Sequence, residues 1–326
     1  MRRKRRLPGP DGFDEPLLNT PKHNYDVVDV RTADGADLRV HAYGPADAPP
    51  IVFSHGWTCR IEYWNPQINA LAENYRVIAY DLRGHGESGV GSRKFSVGVL
   101  ADDLADVLAA TVEPKSNAVL VGHSMGGMSV LAWAGQHPEQ VRRYAGALML
   151  ANTAADRLVA ESKLVPKPNG VPDMPVLAGK LILGAPVPLP ITGITRRMFR
   201  SRVLAKSATD DQVDFAQRLI FGCPPRVRGQ WGLVLTGVDL RAALDHIDVP
   251  TSVVAGEFDN LLPAVHSERL AEALDRRGVL DRLDVIENTG HLSSVEATAR
   301  FNAELERLSA LAKRQDESEP ARANVG

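Results

Sequence analysis

The sequence predicts an α/β fold built on a mostly parallel sheet. Short apolar segments of strand length alternate along the chain with longer segments in which apolar residues recur at helical spacing. The alternation breaks after about residue 151 and resumes after about residue 246. Strands that are separated by helices pair in parallel, with the helices covering both faces of the sheet.

The first half of the chain begins with a hairpin and continues with alternating elements. Residues 25–31 and 37–43 alternate in the manner of strands, and the Asp34-Gly35 pair between them predicts a tight turn. The other elements expected before residue 152 are strands at 50–54, 75–80, 118–121 and 145–150, and helices at about 60–74, at 97–112 and from about Met125.

The stretch from 152 to 246 is rich in proline and contains only short helix-like pieces, such as 210–220. We interpret it as an inserted, mainly helical cap, because strands at 251–255 and 282–286 and helices at 263–274 and 294–313 then restore the earlier rhythm. The expected organisation is a basic, flexible segment (1–24), a first core part (25–151), the cap (152–246), a second core part (247–313) and a disordered polar tail (314–326).

Composition excludes several classes of protein. The 326 residues are 44% hydrophobic and 24% charged, with a net charge of −2, so no nucleic-acid partner is expected. No apolar run reaches the ~18 residues of a membrane span, and the basic N-terminus lacks the apolar stretch of a signal peptide. The two distant cysteines, Cys59 and Cys223, form neither a disulfide framework nor a zinc motif, which favours a cytoplasmic location.

The segment Gly122–Gly127, with the sequence GHSMGG, has two possible interpretations. Two glycines five residues apart suit a phosphate-binding loop, but that loop needs a lysine where this chain has Met128. The same letters spell G-x-S-x-G between a predicted strand and a predicted helix, which is the context of a nucleophile elbow. The sequence therefore favours Ser124 as a nucleophile.

A serine hydroxyl needs a base, and the base needs a group that orients it. In a fold of this kind the chain order is serine, then aspartate or glutamate, then histidine. Asp259 and His291 each follow a predicted strand, as Ser124 does, so all three are expected at one edge of the sheet. Glu257 and Asp156 are the competing candidates for the acid.

The attack of the serine creates a negatively charged oxygen that backbone N–H groups must bind. One donor is expected from Met125, the residue after the nucleophile, and the other from the loop that follows the strand at 50–54. That loop reads His55-Gly56-Trp57, and the Trp57 N–H is the expected donor. His55 and His123 are interpreted as structural.

Five motifs follow one another along the chain. They are HGW at 55–57, DLRGHGES at 81–88, GHSMGG at 122–127, GEFDNLLP at 256–263 and GHLSSVEA at 290–297. Together they resemble the α/β-hydrolase fold superfamily. The resemblance implies an eight-stranded, mostly parallel sheet, a cap after the sixth strand, chemistry without a cofactor, and scaffold roles for Arg83, His85 and Glu87.

The resemblance also bears on activity. Dehalogenases and epoxide hydrolases of this superfamily carry aspartate at the elbow, so Ser124 disfavours them. The expected function is an esterase or lipase-like hydrolase that forms an acyl-enzyme on Ser124, and the apolar segment 166–192 suggests a small hydrophobic acyl substrate. Cofactor-free haloperoxidase or perhydrolase chemistry, C–C bond hydrolysis and a noncatalytic ligand-binding role are the alternatives.

Overall fold

The computed structural model describes residues 12–162, 184–186 and 192–323, with backbone alone for 315–323. Within these residues, eight strands form one sheet, as predicted. The strands are β1 (Tyr25–Arg31), β2 (Asp37–Tyr43), β3 (Pro50–Ser54), β4 (Arg76–Tyr80), β5 (Ala118–His123), β6 (Ala145–Ala151), β7 (Thr251–Gly256) and β8 (Leu280–Ile286).

The order of strands across the sheet is β1-β2-β4-β3-β5-β6-β7-β8. β2 runs antiparallel to both of its neighbours, and every other pairing is parallel. The hairpin at the N-terminus therefore caps one end of a parallel sheet. The strands β5 to β8 are consecutive in space, so the loops that follow them emerge side by side.

Helices cover both faces of the sheet. The described residues contain eleven α-helices, and two of the expected helices differ from prediction. The α-helices are α1 (Asn65–Leu71), α2 (Val97–Thr111), α3 (Met125–Gln136), α4 (Pro138–Tyr144), α5 (Leu158–Glu161), α6 (Gly193–Val203), α7 (Asp210–Phe221), α8 (Pro225–Leu235), α9 (Val265–Arg276), α10 (Ser293–Glu296) and α11 (Thr298–Ala323).

The differences have local causes. The helix expected at 60–74 divides into a 3-10 turn, Ile61–Trp64, followed by α1, and Pro66 lies in the first turn of α1, where a proline is tolerated. The helix α4 was not predicted, although it begins in the same way, at Pro138. The last helix divides at Ala297 into α10 and α11.

Side chains alternate between two hydrophobic cores along each central strand. Val52 and Leu120 point to the core formed with α2 and α3, whereas Phe53 and Val121 point to the core that contains Phe301 of α11. Because both faces are covered, the central strands β5 and β6 are buried along their whole length, whereas β8 at the edge of the sheet exposes Asp281 and Arg282. The sheet is thereby a rigid support for the loops at its edge.

The described part of the insertion between β6 and β7 is helical, as expected, and consists of α5 to α8 and a 3-10 segment, Arg241–His246. It packs on the core through α8, where the Trp231 indole N–H donates to the Arg83 carbonyl at 3.0 Å. The Trp231 ring also stacks on Phe95. Most of the apolar segment 166–192 lies outside the described residues.

The N-terminal segment differs from expectation. Phe13 and Leu18 are buried, and the Leu18 carbonyl accepts a hydrogen bond from the Asn65 side chain at 3.1 Å. The Phe13 ring meets Phe215 edge-on and lies under the Arg218 guanidinium. Burial of these apolar side chains fixes residues 13–19 to the core, which corrects the expectation of a flexible segment reaching residue 24.

The C-terminal boundary also differs. The backbone of α11 continues to Ala323, beyond the expected end at residue 313. Within the described residues, no helix is both long and apolar enough to cross a membrane.

Candidate active site

Four loops meet at the carboxyl edge of the sheet. Ser124 follows β5, Asn152 follows β6, Asp259 lies three residues after β7, and His291 lies in the loop after β8. Because these four strands are neighbours, their loops bring the three predicted residues into one place.

The backbone at Ser124 is strained. Its φ of 54° and ψ of −119° lie in a region that residues with a side chain rarely adopt. The Ser124 N–H donates to the Ala151 carbonyl at 3.0 Å, and its carbonyl accepts from the Thr153 hydroxyl at 2.7 Å. The neighbouring strand β6 and its loop therefore stabilise the strained turn.

The glycines around Ser124 allow the turn to pack closely against the end of β3 and the start of α3. A Cβ on Gly126 would overlap the Ser54 carbonyl at the end of β3, and one on Gly122 would come within 2.5 Å of the Gly127 Cα. A Cβ on Gly127 would likewise come within 2.6 Å of the Thr153 Cβ. These contacts agree with the elbow interpretation. Close packing is sufficient to explain the glycines, and a phosphate-binding role is not needed.

Asp259 and His291 form a buried pair. The His291 Nδ1 donates to Asp259 Oδ2 at 2.8 Å, and each residue is only 4% exposed. The other carboxylate oxygen, Oδ1, accepts the N–H groups of Leu261 and Leu262, both at 2.9 Å. This arrangement orients the ring and leaves its Nε2 as the acceptor.

Asn152 is a site residue that the sequence analysis missed. It adopts a left-handed backbone, with φ of 46°, and its amide donates to Asp259 Oδ2 at 3.0 Å and to the Gly290 carbonyl at 3.2 Å. Its carbonyl oxygen accepts the Ser293 hydroxyl at 2.5 Å. Its position directly after a predicted strand at the same edge was the only signal in the sequence.

Glu296 was also missed. This buried carboxylate accepts three backbone N–H groups, from Ala205, Gly290 and Leu292, at distances of 2.7 to 3.0 Å. Burial outweighs these donors and raises the pKa of Glu296 to about 7. The His291 N–H in turn donates to the Val203 carbonyl at 2.8 Å, so the histidine loop is tied to the C-terminal end of α6.

The loop His55-Gly56-Trp57 lies against the elbow. A Cβ on Gly56 would come within 2.8 Å of His123 Nδ1 and 3.2 Å of the Ser124 Cβ. Met125 is the first residue of α3, so its N–H has no partner within the helix. The two expected backbone donors, Trp57 and Met125, thus belong to segments that adjoin Ser124.

Two buried histidines fix this loop through their ring nitrogens. His55 Nδ1 donates to the Gly56 carbonyl at 2.8 Å, while Nε2 accepts the Leu82 N–H at 2.9 Å. His85 Nε2 accepts the Thr58 N–H at 3.1 Å in the same manner, and burial lowers the pKa of His85 to about 4. Both rings stay neutral, because each uses Nε2 as an acceptor.

The other predicted scaffold residues take structural roles. His123 Nε2 donates to the His291 carbonyl at 2.8 Å, and burial lowers its pKa well below the usual value. The buried Arg83 guanidinium pairs with Asp103 and Asp34 at 2.5 and 2.7 Å. Glu87 is exposed and lies 3.8 Å from the Arg39 guanidinium.

The competing acids are engaged elsewhere. Asp156 lies among the guanidinium groups of Arg157, Arg241 and Arg269, at 3.6 to 3.7 Å. The exposed Glu257 accepts the Asn288 N–H at 3.0 Å. Asp259 is the carboxylate that contacts His291.

Within the described residues, the Ser124 hydroxyl and the His291 ring do not form a hydrogen bond. The distance between a nucleophile and its base is often long in ligand-free sites and shortens when the substrate binds. They also contain no group of three or more His, Cys, Asp or Glu side chains arranged to hold a metal ion. The chemistry available at this edge is that of a strained serine, a buried histidine–carboxylate pair and nearby backbone donors.

Comparison with known proteins agrees with the geometry. A sequence model described as the alpha/beta hydrolase fold matches residues 49–298. A putative carbamate hydrolase of Variovorax paradoxus is 31% identical, over 82% of this chain and 94% of its own length. A 3-oxoadipate enol-lactonase of Acinetobacter baylyi is 27% identical, over 83% and 92%. An esterase of Exiguobacterium antarcticum, 24% identical, superposes with a TM-score of 0.71 over 87% of this chain and 100% of its own.

Proposed function

Because this chain belongs to the α/β-hydrolase fold family, we propose that it is a serine hydrolase that cleaves carboxylic ester bonds through an acyl-enzyme on Ser124. One observation carries the proposal. The buried His291–Asp259 pair, joined at 2.8 Å, lies at the sheet edge where Ser124 occupies a strained turn. A nucleophile, a base and an orienting group are the three parts that acyl transfer requires.

In the first step, His291 Nε2 takes the proton of the Ser124 hydroxyl as the oxygen attacks the ester carbonyl. Asp259 stays ionised, holds the ring through Nδ1 and stabilises its positive form. The N–H groups of Trp57 and Met125 bind the oxygen of the tetrahedral intermediate, and losing one such donor typically costs about 10²–10³ in turnover.

In the second step, His291 gives its proton to the leaving alcohol, and the acyl group remains on Ser124 as an ester. Water then attacks this ester with His291 as the base, and collapse of the second tetrahedral intermediate releases the acid and restores the serine. No cofactor takes part in the proposed steps.

The names of two relatives, an enol-lactonase and a carbamate hydrolase, support an ester-like bond as the one that is broken. We further propose that residues 152–246 form a cap over this edge and that the substrate is a small molecule with a hydrophobic acyl group, on account of the apolar segment 166–192. The free, buried Cys59 and Cys223 suit a reducing cytoplasm.

A series of p-nitrophenyl esters, from acetate to palmitate, tests the proposal. We expect hydrolysis that is lost in Ser124→Ala and kept in Ser129→Ala, a control that removes the next serine on α3, whose hydroxyl donates to the Leu100 carbonyl. Equal rates in wild type and Ser124→Ala would refute it. Activity only with peroxide, or only on a vinylogous diketone, would replace ester hydrolysis by perhydrolysis or C–C cleavage on the same residues.

A further inference from the structure

The loop that carries His291 packs directly on the insertion between β6 and β7. The His291 N–H donates to the carbonyl of Val203, the last residue of α6, at 2.8 Å. A Cβ on Gly290 would come within 2.7 Å of backbone atoms in each of residues 203–205. The two segments therefore meet backbone to backbone, with no side chain between them at this point.

Glu296 joins the same two segments. Its Oε2 accepts the N–H groups of Ala205 at 2.7 Å and of Gly290 at 3.0 Å, and its Oε1 accepts the Leu292 N–H at 3.0 Å. Gly290 and Leu292 are the neighbours of His291 in the chain, one on each side. A single carboxylate thus bonds the backbone on both sides of the histidine and, at the same time, the insertion.

This carboxylate is in surroundings that disfavour its charge. Burial raises the pKa of Glu296 to about 7, even though three N–H groups stabilise the ionised form. A charge that is withdrawn from water costs stability unless its hydrogen bonds compensate for the loss. Groups that cost stability are typical of functional sites, where the arrangement that they enforce is needed for activity.

The remaining contacts of His291 come from other elements. Its ring Nδ1 donates to Asp259 after β7, and its carbonyl accepts the His123 ring N–H at 2.8 Å. Only the contact with Val203 and the bonds made through Glu296 involve the insertion. A displacement of the insertion would therefore move the histidine while its partner carboxylate and the nucleophile elbow stay in place.

We propose that Glu296 and Ala205 are positioning residues for His291, so that the insertion between β6 and β7 completes the base side of the candidate site. The proposal rests on the function proposed above, in which His291 is the base for Ser124. Glu296 fixes the backbone on both sides of the histidine, and the Ala205 N–H fixes Glu296 to the insertion. A misplacement of about 1 Å costs up to ~10²-fold in rate, so the expected effect is on kcat.

Ala205→Pro tests the proposal by removing the N–H that Glu296 accepts. The preceding Leu204 has an extended backbone, with φ of −108° and ψ of 160°, which is the conformation that a following proline requires. We expect kcat on p-nitrophenyl acetate to fall by about 10- to 100-fold, with KM unchanged.

The matched control is Lys206→Pro, which introduces the same residue one position later and keeps the Ala205 N–H. Lys206 is exposed and is the second residue of a turn that the Ala208 N–H closes on the Ala205 carbonyl at 3.2 Å. Proline is favoured at the second position of such turns. The kcat of this variant should equal that of the wild type.

Glu296→Gln is a second variant, which adds no volume and covers any misfolding of Ala205→Pro. The new amide oxygen can still accept the N–H groups of Ala205 and Gly290, but its NH₂ group would then face the Leu292 N–H. We expect kcat to fall by at least ~5-fold with KM unchanged, since one N–H beside His291 loses its acceptor.

The ring proton of His291 reports the position of the base without any turnover. In protein labelled with ¹⁵N-histidine, the Nδ1–H that is donated to Asp259 should give a downfield nuclear magnetic resonance signal, assigned by its loss in Asp259→Asn. We expect this signal to shift or broaden in Ala205→Pro and Glu296→Gln, and to remain unchanged in Lys206→Pro.

Wild-type kcat and an unchanged ring signal in both Ala205→Pro and Glu296→Gln would overturn the proposal, and so would equal losses in Lys206→Pro. A higher KM at unchanged kcat would overturn it as well, because it would assign these residues to substrate binding. If the wild type hydrolyses no ester but its ring signal still responds to Ala205→Pro, the proposed ester hydrolysis fails and the positioning of His291 is supported.

Discussion

The two sides of the candidate site are held in place by different forces. On the nucleophile side, Ser124 is positioned by close packing, since Gly122 and Gly126 leave no room for a side chain and the backbone of β6 supports the turn. On the base side, His291 is positioned by polar groups, namely Asp259, Asn152 and Glu296.

This difference has consequences for how each side responds to change. Packing against backbone atoms is insensitive to pH and intolerant of added volume. A network of buried polar groups accepts isosteric replacement but depends on protonation and on every donor having its acceptor. Added volume should therefore displace Ser124, whereas a change of charge or of protonation should disturb the position of His291.

On the base side, Asp259→Asn should have the largest effect on activity. The new amide can still accept the N–H groups of Leu261 and Leu262, but its NH₂ would face the Nδ1–H of His291, which favours the wrong tautomer of the ring. We expect kcat to fall by about 10⁴-fold with little change in the fold. Ester turnover and circular dichroism check this, and a loss below about tenfold would show that another acid orients His291.

Gly126→Ala should have the largest effect on stability. The added methyl would overlap the Ser54 carbonyl, a backbone atom that cannot move without displacing β3. We expect a loss of at least ~3 kcal/mol in the free energy of unfolding, measured by chemical denaturation. Gly193→Ala is the control, since nothing lies within 4 Å of a Cβ there; equal stability of the two variants would contradict the steric account.

Glu296→Gln should remove a pH dependence on the base side. The native pKa of Glu296 is about 7 against an ordinary 4.5, so the folded protein binds more protons than the unfolded chain between these values. This group therefore makes the wild type less stable as pH rises from about 4.5 to about 7, by up to about 3 kcal/mol. Glutamine does not titrate.

The measurement compares denaturation of wild type and Glu296→Gln at pH 5 and pH 8. We expect the stability of the variant relative to wild type to increase with pH. An identical pH dependence of the two proteins would mean that the carboxylate is ionised throughout.

Asn152→Ala should have a smaller effect, confined to the chemical step. It removes one donor from Asp259 and leaves the Ser293 hydroxyl without its acceptor, a loss of about 1–3 kcal/mol, or roughly 5–150-fold in kcat. The Michaelis constant should stay the same. Asn302→Ala is the control, because Asn302 is also buried and hydrogen-bonded but contacts Gln67 in place of Asp259. An equal loss of kcat in both variants would mean that Asn152 has only a structural role.

The contrast between the two sides also explains how far the sequence could predict the structure. The elbow is local, so a strand, a serine between glycines and a helix can be recognised from consecutive residues, and Ser124 lies where they predict. The strands were found nearly to the residue, because apolar segments between turns are a strong local signal.

The network on the base side is assembled from separate loops, and local patterns cannot reveal it. No local pattern marks Asn152, Ser293 and Glu296. They come into contact with the histidine loop and with Asp259 only because β6, β7 and β8 are neighbours in the sheet. For the same reason the burial of Phe13 was missed: its partner Phe215 is 202 positions away in the chain. The basic residues at 2–6 suggested a flexible segment, and the sequence analysis extended it to residue 24, past the buried Phe13 and Leu18.

The most direct test of the account is the acyl-enzyme itself. Wild-type protein is mixed with a slowly deacylated ester, p-nitrophenyl trimethylacetate, quenched in acid and analysed by intact mass and peptide mapping. The account predicts one acyl group per chain, on the peptide that contains Ser124, and none in Ser124→Ala. Turnover with no adduct, or an adduct on any other residue, would contradict it.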